Sequence, residues 1–314
     1  METRVSMGRG KSGRRPSARA QQRQARGLLV VAGLLCLALV GGVAGLFALV
    51  SAAESAPAPA PAEDGFVEIL QDDEAPAEPE VPADERAADL ALDPEKQTEW
   101  KLDGTGEKTV YLTFDDGPSD NTPRVLEVLE RYGINATFFV TGHEPDKAHY
   151  IKDAYEAGNS IGLHSMTHNY DQIYVSEEAF FSDLEAVGNM VKEQIGYVPY
   201  LTRFPGGASN TISANYCAGI MSALVDDVQA RGYQFYDWNV SSGDASGTNV
   251  PVETLVQGSC VEGYTNVMLL FHDSNTKDTT PEALPQIIEY YLERGYKFEP
   301  ITREAFVCHH GVNN

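Results

Sequence analysis

Short apolar runs alternate with helix-forming stretches along residues 101–314 of the 314-residue chain. Seven runs have the length and the β-branched or aromatic content of buried strands, at 109–114, 136–140, 160–163, 200–203, 234–238, 267–271 and 297–299. Helical patterns lie between them, at 123–132, 176–194, 213–231, 251–256 and 281–294. This alternation predicts an α/β fold with a parallel sheet and right-handed crossovers, and about seven units favour a closed barrel over an open sheet.

An uncharged apolar run occupies residues 27–50, ahead of the alternating region. About 20 residues in a helix cross the hydrocarbon core of a bilayer, so this run is long enough to span it. Residues 1–26 carry eight Lys or Arg and one acid, which places them on the cytoplasmic side. We therefore predict a basic cytoplasmic segment at 1–26, a single-pass anchor in the cell membrane at 27–50 and an extracytoplasmic remainder. A cleavable signal peptide is the alternative, although the run exceeds the about 7–15 residues of its apolar core.

Residues 51–100 are rich in Ala and Pro and carry 15 acidic and two basic residues. Such a segment buries too little apolar surface to offset its ordering entropy, so we predict a disordered acidic linker ahead of a folded domain at 101–314. The chain has a formal net charge of −23 despite its basic start, which excludes nucleic acid as a partner of the main body. Disulfides persist outside the cytoplasm, and we expect Cys217 to pair with Cys260.

Ionisable residues follow five of the predicted strands at their carboxyl ends. They are Asp115 and Asp116, His164 and His168, Arg203, Asp244, and His272. In a parallel barrel the carboxyl ends of the strands meet at one face, where active sites are built. The sequence therefore predicts that these side chains form one site.

His164 and His168 are four residues apart, a spacing that predicts both imidazoles on one face of a helical turn, as zinc ligands often are. No glutamate follows His164, so the zinc-peptidase pattern is absent and other residues must complete the site. The tandem Asp115-Asp116 offers one carboxylate as a ligand and one as a general base. For each motif alone, a structural histidine pair and a strand-end turn remain the alternatives.

Five motifs occur in order along the chain: TFDDGP at 113–118, HSMTH at 164–168, RFPGG at 203–207, the Asp244 region, and LFH at 270–272. In this order they resemble the polysaccharide deacetylases of carbohydrate esterase family 4, over residues 108–294. The resemblance implies a distorted (β/α) barrel and hydrolytic removal of acetyl groups from a polysaccharide. It also implies a divalent metal, most often Zn²⁺, for which Co²⁺ can substitute.

The first three motifs carry the base and the metal site, by the same resemblance. Asp115 would be the general base, oriented by Arg203. The metal ligands would be Asp116, His164 and His168.

The remaining positions would supply the acid and the substrate contacts. By the resemblance, His272 would protonate the leaving amine, and Asp244 would hydrogen-bond His272, with Asp237 as a second candidate. The backbone N–H of Gly206 would stabilise the oxyanion. Leu270 would line the pocket for the acetyl methyl group.

An anchored domain that faces the cell wall favours peptidoglycan, or another N-acetylglucosamine polymer, as the substrate. Gly206 and Ala245 stand where many family members carry aromatic residues, which implies a wider cleft that lacks two rings of its wall. The alternatives are an O-acetyl esterase acting on xylan-like glycans and a catalytically weak wall-binding protein. We expect a monomer, and we expect His309 and His310 to lie in a solvated tail.

Overall fold

The computed structural model of the protein describes residues 85–96 and 101–314. The strands in these residues are β1 Thr109–Asp115, β2 Thr137–Thr141, β3 Ser160–Ser165, β4 Leu201–Thr202, β5 Gln234–Phe235, β6 Val240–Ser241, β7 Asn266–His272 and β8 Lys297–Phe298. The helices are α1 Glu85–Leu90, α2 Thr122–Tyr132, α3 His149–Glu156, α4 Tyr170–Ile173, α5 Glu177–Ile195, α6 Ile220–Ala230, α7 Val252–Ser259 and α8 Thr279–Glu293. Short 3-10 turns occupy Pro145–Lys147, Ile212–Asn215 and Asp244–Ser246.

All paired strands are parallel, in the order β5-β4-β3-β2-β1-β7-β6. β8 pairs with the amino half of β1, and β2 pairs with its carboxyl half. The ends of the path, β5 and β6, are joined by residues 236–239 and form no ladder with each other within the described ranges. The predicted α/β class and parallel sheet are confirmed, but the seven-strand path is an open half-barrel rather than the closed barrel expected. The predicted strand at 297–299 lies off this path as β8, and β6 takes its place in the count. The sequence pattern does not predict β6 as a strand of its own.

Alternate residues of the central strands β1 and β7 face two different cores. The outward residues pack with the helices and are Val110, Leu112, Phe114, Val267, Leu269 and Phe271. Tyr111 and Met268 belong to a second, inner core. Burial of each large apolar side chain contributes about 1.5–3 kcal/mol. Because side chains alternate along a strand, positions 113, 115, 270 and 272 also lie on the inner face, towards the carboxyl ends.

The chain after β8 returns over the inner face of the sheet. Ile301, Ala305 and Val307 are buried in the inner core together with Tyr111 and Met268. The carboxyl-terminal segment, residues 299–310, therefore fills the space that the strands surround.

The expectation of a solvated tail at His309 and His310 is wrong. The His309 ring stacks on Phe235 with 3.8 Å between ring centroids. The backbone N–H of His310 donates to Asp237 Oδ2 at 2.8 Å. Because the residues before them are buried in the inner core, both histidines are held against the chain at and after β5.

The folded part begins earlier than residue 101. Leu90, at the end of α1, is buried in the inner core, and its carbonyl oxygen accepts from the Tyr200 N–H at 2.9 Å. The buried Arg303 guanidinium donates to three backbone carbonyl oxygens, those of Asp89, Ala91 and Lys96. The predicted linker at 51–100 is thus corrected at its carboxyl-terminal end. Arg303 lies 207–214 residues after the carbonyl groups it binds, so the composition of residues 51–100 could not reveal that their last part is folded.

The predicted helix 213–231 is interrupted, and the expected disulfide is not formed. Gly219 has a φ of 83°, in the left-handed region, and α6 begins only after it. Cys217 lies in this interruption, whereas Cys260 follows α7, which packs on α8 and β6. Both residues are free, as is Cys308.

No helix within 85–96 and 101–314 combines the length and the apolar character needed to cross a bilayer. The predicted cytoplasmic segment 1–26 and the predicted anchor 27–50 lie outside the described residues. The linker from 51 to 84 lies outside them as well.

Candidate active site

Strands β1 and β7 carry two of the predicted acid–base residues side by side. Their parallel register places Asp115 beside His272 and Thr113 beside Leu270. All four positions lie on the inner face, near the carboxyl ends of the strands. Leu270 is 4% exposed and so offers a buried apolar contact below the two ionisable side chains.

Arg203, directly after β4, is fully buried and holds Asp115. Its Nη1 donates to Asp115 Oδ1 at 2.8 Å and to Thr113 Oγ1 at 2.7 Å. Its Nε and Nη2 donate to the carbonyl oxygens of Tyr236 and Asp237 at 2.7 and 3.1 Å. With its donors used on four acceptors, the guanidinium is rigid and fixes one carboxylate oxygen of Asp115.

Asp116, His164 and His168 converge on one point. The Nε2 atoms of the two histidines each lie 3.6 Å from Asp116 Oδ1. One ligating atom from each of the three residues lies within 4.8 Å of the others. Asp116 has a φ of 72°, which non-glycine residues adopt rarely and which is a form of strain found at functional sites.

The buried His164 presents a single ring nitrogen to this point. Its Nδ1–H donates to the Arg203 carbonyl oxygen at 2.8 Å, which leaves the lone pair on Nε2. Burial lowers the pKa of His164 to about 3, so the imidazole is neutral at physiological pH. A neutral imidazole oriented through its other nitrogen is the form that binds a metal ion.

These three residues fit a divalent cation. Asp116 Oδ1 is buried and accepts no hydrogen bond from the described residues, although buried carboxylate oxygens normally have a partner. One carboxylate oxygen and two imidazole nitrogens form a donor set that Zn²⁺ accepts in hydrolytic sites, where a further position stays open. Elsewhere in the described part of the chain, no group of three His, Cys, Asp or Glu converges in this way.

The loop 165–168 that carries His168 is not the helical turn that the spacing predicted. His164 lies in β3, and His168 follows in a tight loop with a φ of 50°. Residues four apart in an extended strand would be about 13 Å apart, so the loop is what brings the imidazoles together. Asp183 of α5 accepts hydrogen bonds at 2.6, 2.8 and 3.0 Å from the Ser165 hydroxyl, the Met166 N–H and the Thr167 N–H.

His272, at the end of β7, is bonded twice to Asp244. Asp244 Oδ1 accepts from the His272 Nδ1–H at 2.9 Å, and Oδ2 accepts from the His272 backbone N–H at 2.7 Å. Burial opposes a charge on His272, but the hydrogen bond and the charge of Asp244 outweigh it and raise the pKa to about 9. The imidazole is therefore protonated at neutral pH, and Nε2–H is the donor that no described residue engages.

Asp237, the second candidate for this role, has a different task. Its Oδ1 accepts from the Ala208 N–H at 2.9 Å, and its Oδ2 accepts from the His310 N–H at 2.8 Å. Asp237 therefore fastens the RFPGG loop to the carboxyl-terminal segment. Of the two aspartates, Asp244 is the one that bonds His272.

Asp273 supports the turn that follows Asp116. It is fully buried, and burial raises its pKa to about 7. Its N–H donates to the Asp115 carbonyl oxygen at 3.1 Å, and its Oδ2 accepts from the Thr122 hydroxyl at 2.6 Å. A Cβ on Gly117 would lie 2.1 Å from Asp273 Oδ1, so only glycine fits at this turn.

The predicted gap in the cleft wall at Gly206 is filled by another residue. Gly206 is exposed and has a φ of 81°. A Cβ built on it would lie 2.3 Å from the hydroxyl oxygen of Tyr170, a residue that lies just after the loop 165–168. The expectation of missing bulk at this position is therefore corrected.

Sequence reasoning missed several residues that shape the site. Thr113 lies two positions before Asp115 on the same face of β1, and strand periodicity was a signal that could have identified it. Asp183 lies on α5, and Thr280, on α8, donates to Asp244 Oδ2 at 3.0 Å. Neither of these two has a local signal, because each reaches the site only through the packing of its helix.

Comparison with known proteins agrees with this geometry. The family model described as polysaccharide deacetylase matches residues 103–219. A peptidoglycan-N-acetylglucosamine deacetylase of Bacillus cereus is 29% identical over 214 residues, which cover 65% of this chain and 73% of that protein. A peptidoglycan-N-acetylmuramic acid deacetylase of Bacillus subtilis is 29% identical over 216 residues, which cover 68% of this chain and 77% of that protein.

A solved structure is similar to this chain over most of its folded domain. The catalytic domain of a peptidoglycan N-acetylglucosamine deacetylase from Eubacterium rectale is 44% identical, with a TM-score of 0.66. The match covers 69% of this chain and 98% of that structure. With the motif residues gathered at the carboxyl ends of parallel strands, these similarities show that the chain belongs to the polysaccharide deacetylases of carbohydrate esterase family 4.

Proposed function

We propose that the protein is a metal-dependent hydrolase that removes N-acetyl groups from the amino sugars of peptidoglycan. The observation that carries this proposal is the convergence of Asp116, His164 and His168, with Asp115 and His272 side by side in the strand register. The relatives described above are named as peptidoglycan deacetylases, which supports the choice of glycan.

Activation of the attacking water involves the metal ligands, which would hold the cation, and the general base, which accepts the proton. Asp116, His164 and His168 would hold the cation, for which Zn²⁺ suits the donor set best and Co²⁺ is a substitute. When bound, the cation supplies Lewis-acid chemistry that acidifies water and polarises a carbonyl group. Asp115 takes the proton of the attacking water at Oδ2, because Oδ1 is held by Arg203.

The acid completes the reaction on the other side of the scissile bond. His272 Nε2 gives its proton to the amine nitrogen as the C–N bond breaks, and acetate and the free amine leave. Asp244 holds Nδ1 and keeps the imidazole oriented and charged. The Gly206 N–H stabilises negative charge on the acetyl oxygen, and Leu270 contacts the methyl group.

We also propose where the enzyme works. The uncharged run 27–50 and the basic flank 1–26 support a single membrane anchor with the catalytic domain outside the cytoplasm. The acidic segment from 51 to about 84 would then hold a monomeric domain away from the bilayer. An enzyme in that position faces the cell wall, which is where peptidoglycan lies.

Acetate release is the test of this function. The full chain, purified in mild detergent and supplied with Zn²⁺ or Co²⁺, is assayed on peptidoglycan, chitooligosaccharides and acetylated xylan. We expect release from peptidoglycan that is lost on chelation and restored by metal. We expect Asp115→Asn to lower kcat by about 10²–10⁴-fold, because asparagine keeps the size of the side chain but cannot accept the proton.

A matched control is Asp226→Asn on the exposed face of α6, which should keep wild-type activity. Release from xylan alone would favour the O-acetyl esterase. No release from any of the three substrates, with metal bound and the fold intact, would favour a wall-binding protein.

A further inference from the structure

The hydroxyl group of Tyr170 occupies the space beside Gly206, where a side chain at that position would lie. A Cβ at position 206 would lie 2.3 Å from the Tyr170 hydroxyl oxygen, inside any permitted contact distance. The φ of 81° at Gly206 separately disfavours a side chain. As long as Tyr170 keeps this position, residue 206 has to be glycine.

Neighbouring residues hold Tyr170 in this place. Its half-buried ring lies 5.8 Å from the His168 ring, between centroids, and 5.2 Å from the Tyr174 ring in an edge-on contact. Tyr174 is fully buried, and its hydroxyl donates to the Pro205 carbonyl oxygen at 2.8 Å. The Tyr170 ring is thus packed between a predicted metal ligand and the RFPGG loop.

Two hydrogen-bond donors at this point have no acceptor. Among residues 85–96 and 101–314, neither the Tyr170 hydroxyl nor the Gly206 N–H donates to any group. The adjacent backbone donors are used: the Gly207 N–H donates to the Phe204 carbonyl oxygen at 2.8 Å, and the Ala208 N–H donates to Asp237 at 2.9 Å. Gly206 is exposed and Tyr170 is half-buried, so neither residue is sealed from solvent.

We propose that Tyr170 is a catalytic residue whose hydroxyl donates to the acetyl oxygen of the substrate, beside the Gly206 N–H. This inference rests on the proposed deacetylase function. Negative charge develops on that oxygen when water adds to the carbonyl carbon, and preorganised donors stabilise it. A phenol suits this place because it donates a hydrogen bond without adding a positive charge next to Asp116, His164 and His168.

Kinetics of Tyr170→Phe test the proposal, since only the hydroxyl is removed. We expect kcat on peptidoglycan to fall by about 10²–10³-fold, as for loss of one oxyanion donor, with KM unchanged within about twofold. Zn²⁺ affinity, measured by chelator competition, should stay at the wild-type value. Tyr264→Phe is the matched control and should keep wild-type kinetics, because Tyr264 is an exposed tyrosine just ahead of β7, at the opposite end of that strand from the site.

A wild-type kcat in Tyr170→Phe, or a raised KM at unchanged kcat, would overturn the role of Tyr170 while the deacetylase function stands. An inactive wild-type enzyme would instead overturn both proposals, so the two failures are distinguishable.

A double-mutant cycle tests the geometry without any activity assay. Gly206→Ala adds a Cβ that meets the Tyr170 oxygen, and Tyr170→Phe removes that oxygen. We therefore expect Gly206→Ala to lower the urea midpoint less in the Tyr170→Phe background than in the wild type. The cost of a side chain at the positive φ is the same in the two backgrounds, so the difference between the shifts reports the contact with the hydroxyl. Equal shifts in the two backgrounds would show that the hydroxyl does not lie beside Gly206 and would overturn the proposal.

Discussion

His272 and Asp244 show how two bonds between one pair of residues set a charge state. Asp244 engages both the ring and the backbone N–H of His272, so the imidazole cannot rotate away from the carboxylate. Burial raises the pKa of Asp244, but the hydrogen bonds from His272 outweigh it and lower the pKa. Each partner thus favours the charged form of the other, as a general acid requires.

The pH dependence of Asp244→Asn tests this pair. Asparagine keeps the shape of the side chain but removes its charge, so the pKa of His272 should fall from about 9 towards its ordinary value of about 6.5. Because the proposed acid must be protonated, the alkaline limb of kcat should move to lower pH. A pH–rate profile of both proteins measures the shift, and an unmoved alkaline limb would contradict the assignment of His272 as the acid.

The same pair contributes to stability in a defined pH range. The pKa of His272 in the folded state lies above its unfolded value, so the pair stabilises the fold fully below about pH 6.5. The contribution is lost as the pH rises through about 9. Because the lowered pKa of Asp244 removes the contribution in acid, wild type and Asp244→Asn should differ most in unfolding free energy between about pH 4 and pH 6.5, and should converge in alkali.

At the scale of elements, the loop 165–168 depends on α5, whose Asp183 lies 16–18 residues further along the chain than the groups it binds. Helix α5 begins at Glu177, and the Ser176 hydroxyl caps it by accepting from the Ala179 N–H at 3.2 Å. This places Asp183 on the second turn, below the loop, where its carboxylate binds residues 165–167. The helix therefore positions the loop that carries His168.

Asp183→Asn tests this support. Asparagine loses an acceptor oxygen and adds an N–H₂ group that faces donors of the loop, so the His168 ring should become less well ordered. We expect Zn²⁺ affinity to fall by about 10–100-fold, as for other residues that orient metal ligands. Chelator competition measures the affinity directly and does not depend on turnover.

Glu185→Gln is the matched control, because Glu185 is an exposed residue two positions further along α5. It should bind Zn²⁺ as tightly as the wild type. Equal affinities in Asp183→Asn and the wild type would show that the loop holds its shape without α5.

At the scale of the whole molecule, the first described segment, residues 85–96, meets the carboxyl-terminal segment beside the inner core. Arg303 is 2% exposed and donates to three backbone carbonyl oxygens of residues 89–96. Its guanidinium also lies 4.0 Å above the Tyr200 ring centroid. The segment 85–96 is thus fastened by one side chain from the opposite end of the chain.

Arg303→Met should release this segment. Methionine fills part of the volume but leaves buried carbonyl oxygens unpaired, so we expect the free energy of unfolding to fall by about 2–4 kcal/mol. Urea unfolding measures the loss, and limited proteolysis should give cuts within 85–96 that the wild type does not show. Arg131→Met is the control, because Arg131 is an exposed residue that pairs with Glu127 on the same helix. Resistance of 85–96 to proteolysis in Arg303→Met would contradict the role of Arg303.

Local pattern was enough to predict most of the fold and the chemistry of the site. The apolar run of β1 and the Asp115-Asp116 pair at its end are adjacent in the chain, as are β3 and His164. Parallel strands bring their carboxyl ends to one edge whatever the details of packing. The sequence alone therefore determined the α/β class with its parallel sheet, the chemical types at the site and the family.

Tertiary structure decided which of these groups touch. Asp237 and Asp244 were both candidates from the sequence, but only Asp244 bonds His272. Asp244 follows β6, which pairs with β7, whereas Asp237 follows β5 and binds the carboxyl-terminal segment. Asp183, Tyr170 and Arg303 act on partners that local sequence patterns do not reveal. Such contacts depend on how helices and segments pack across the sheet, and periodicity along the chain carries no information about that.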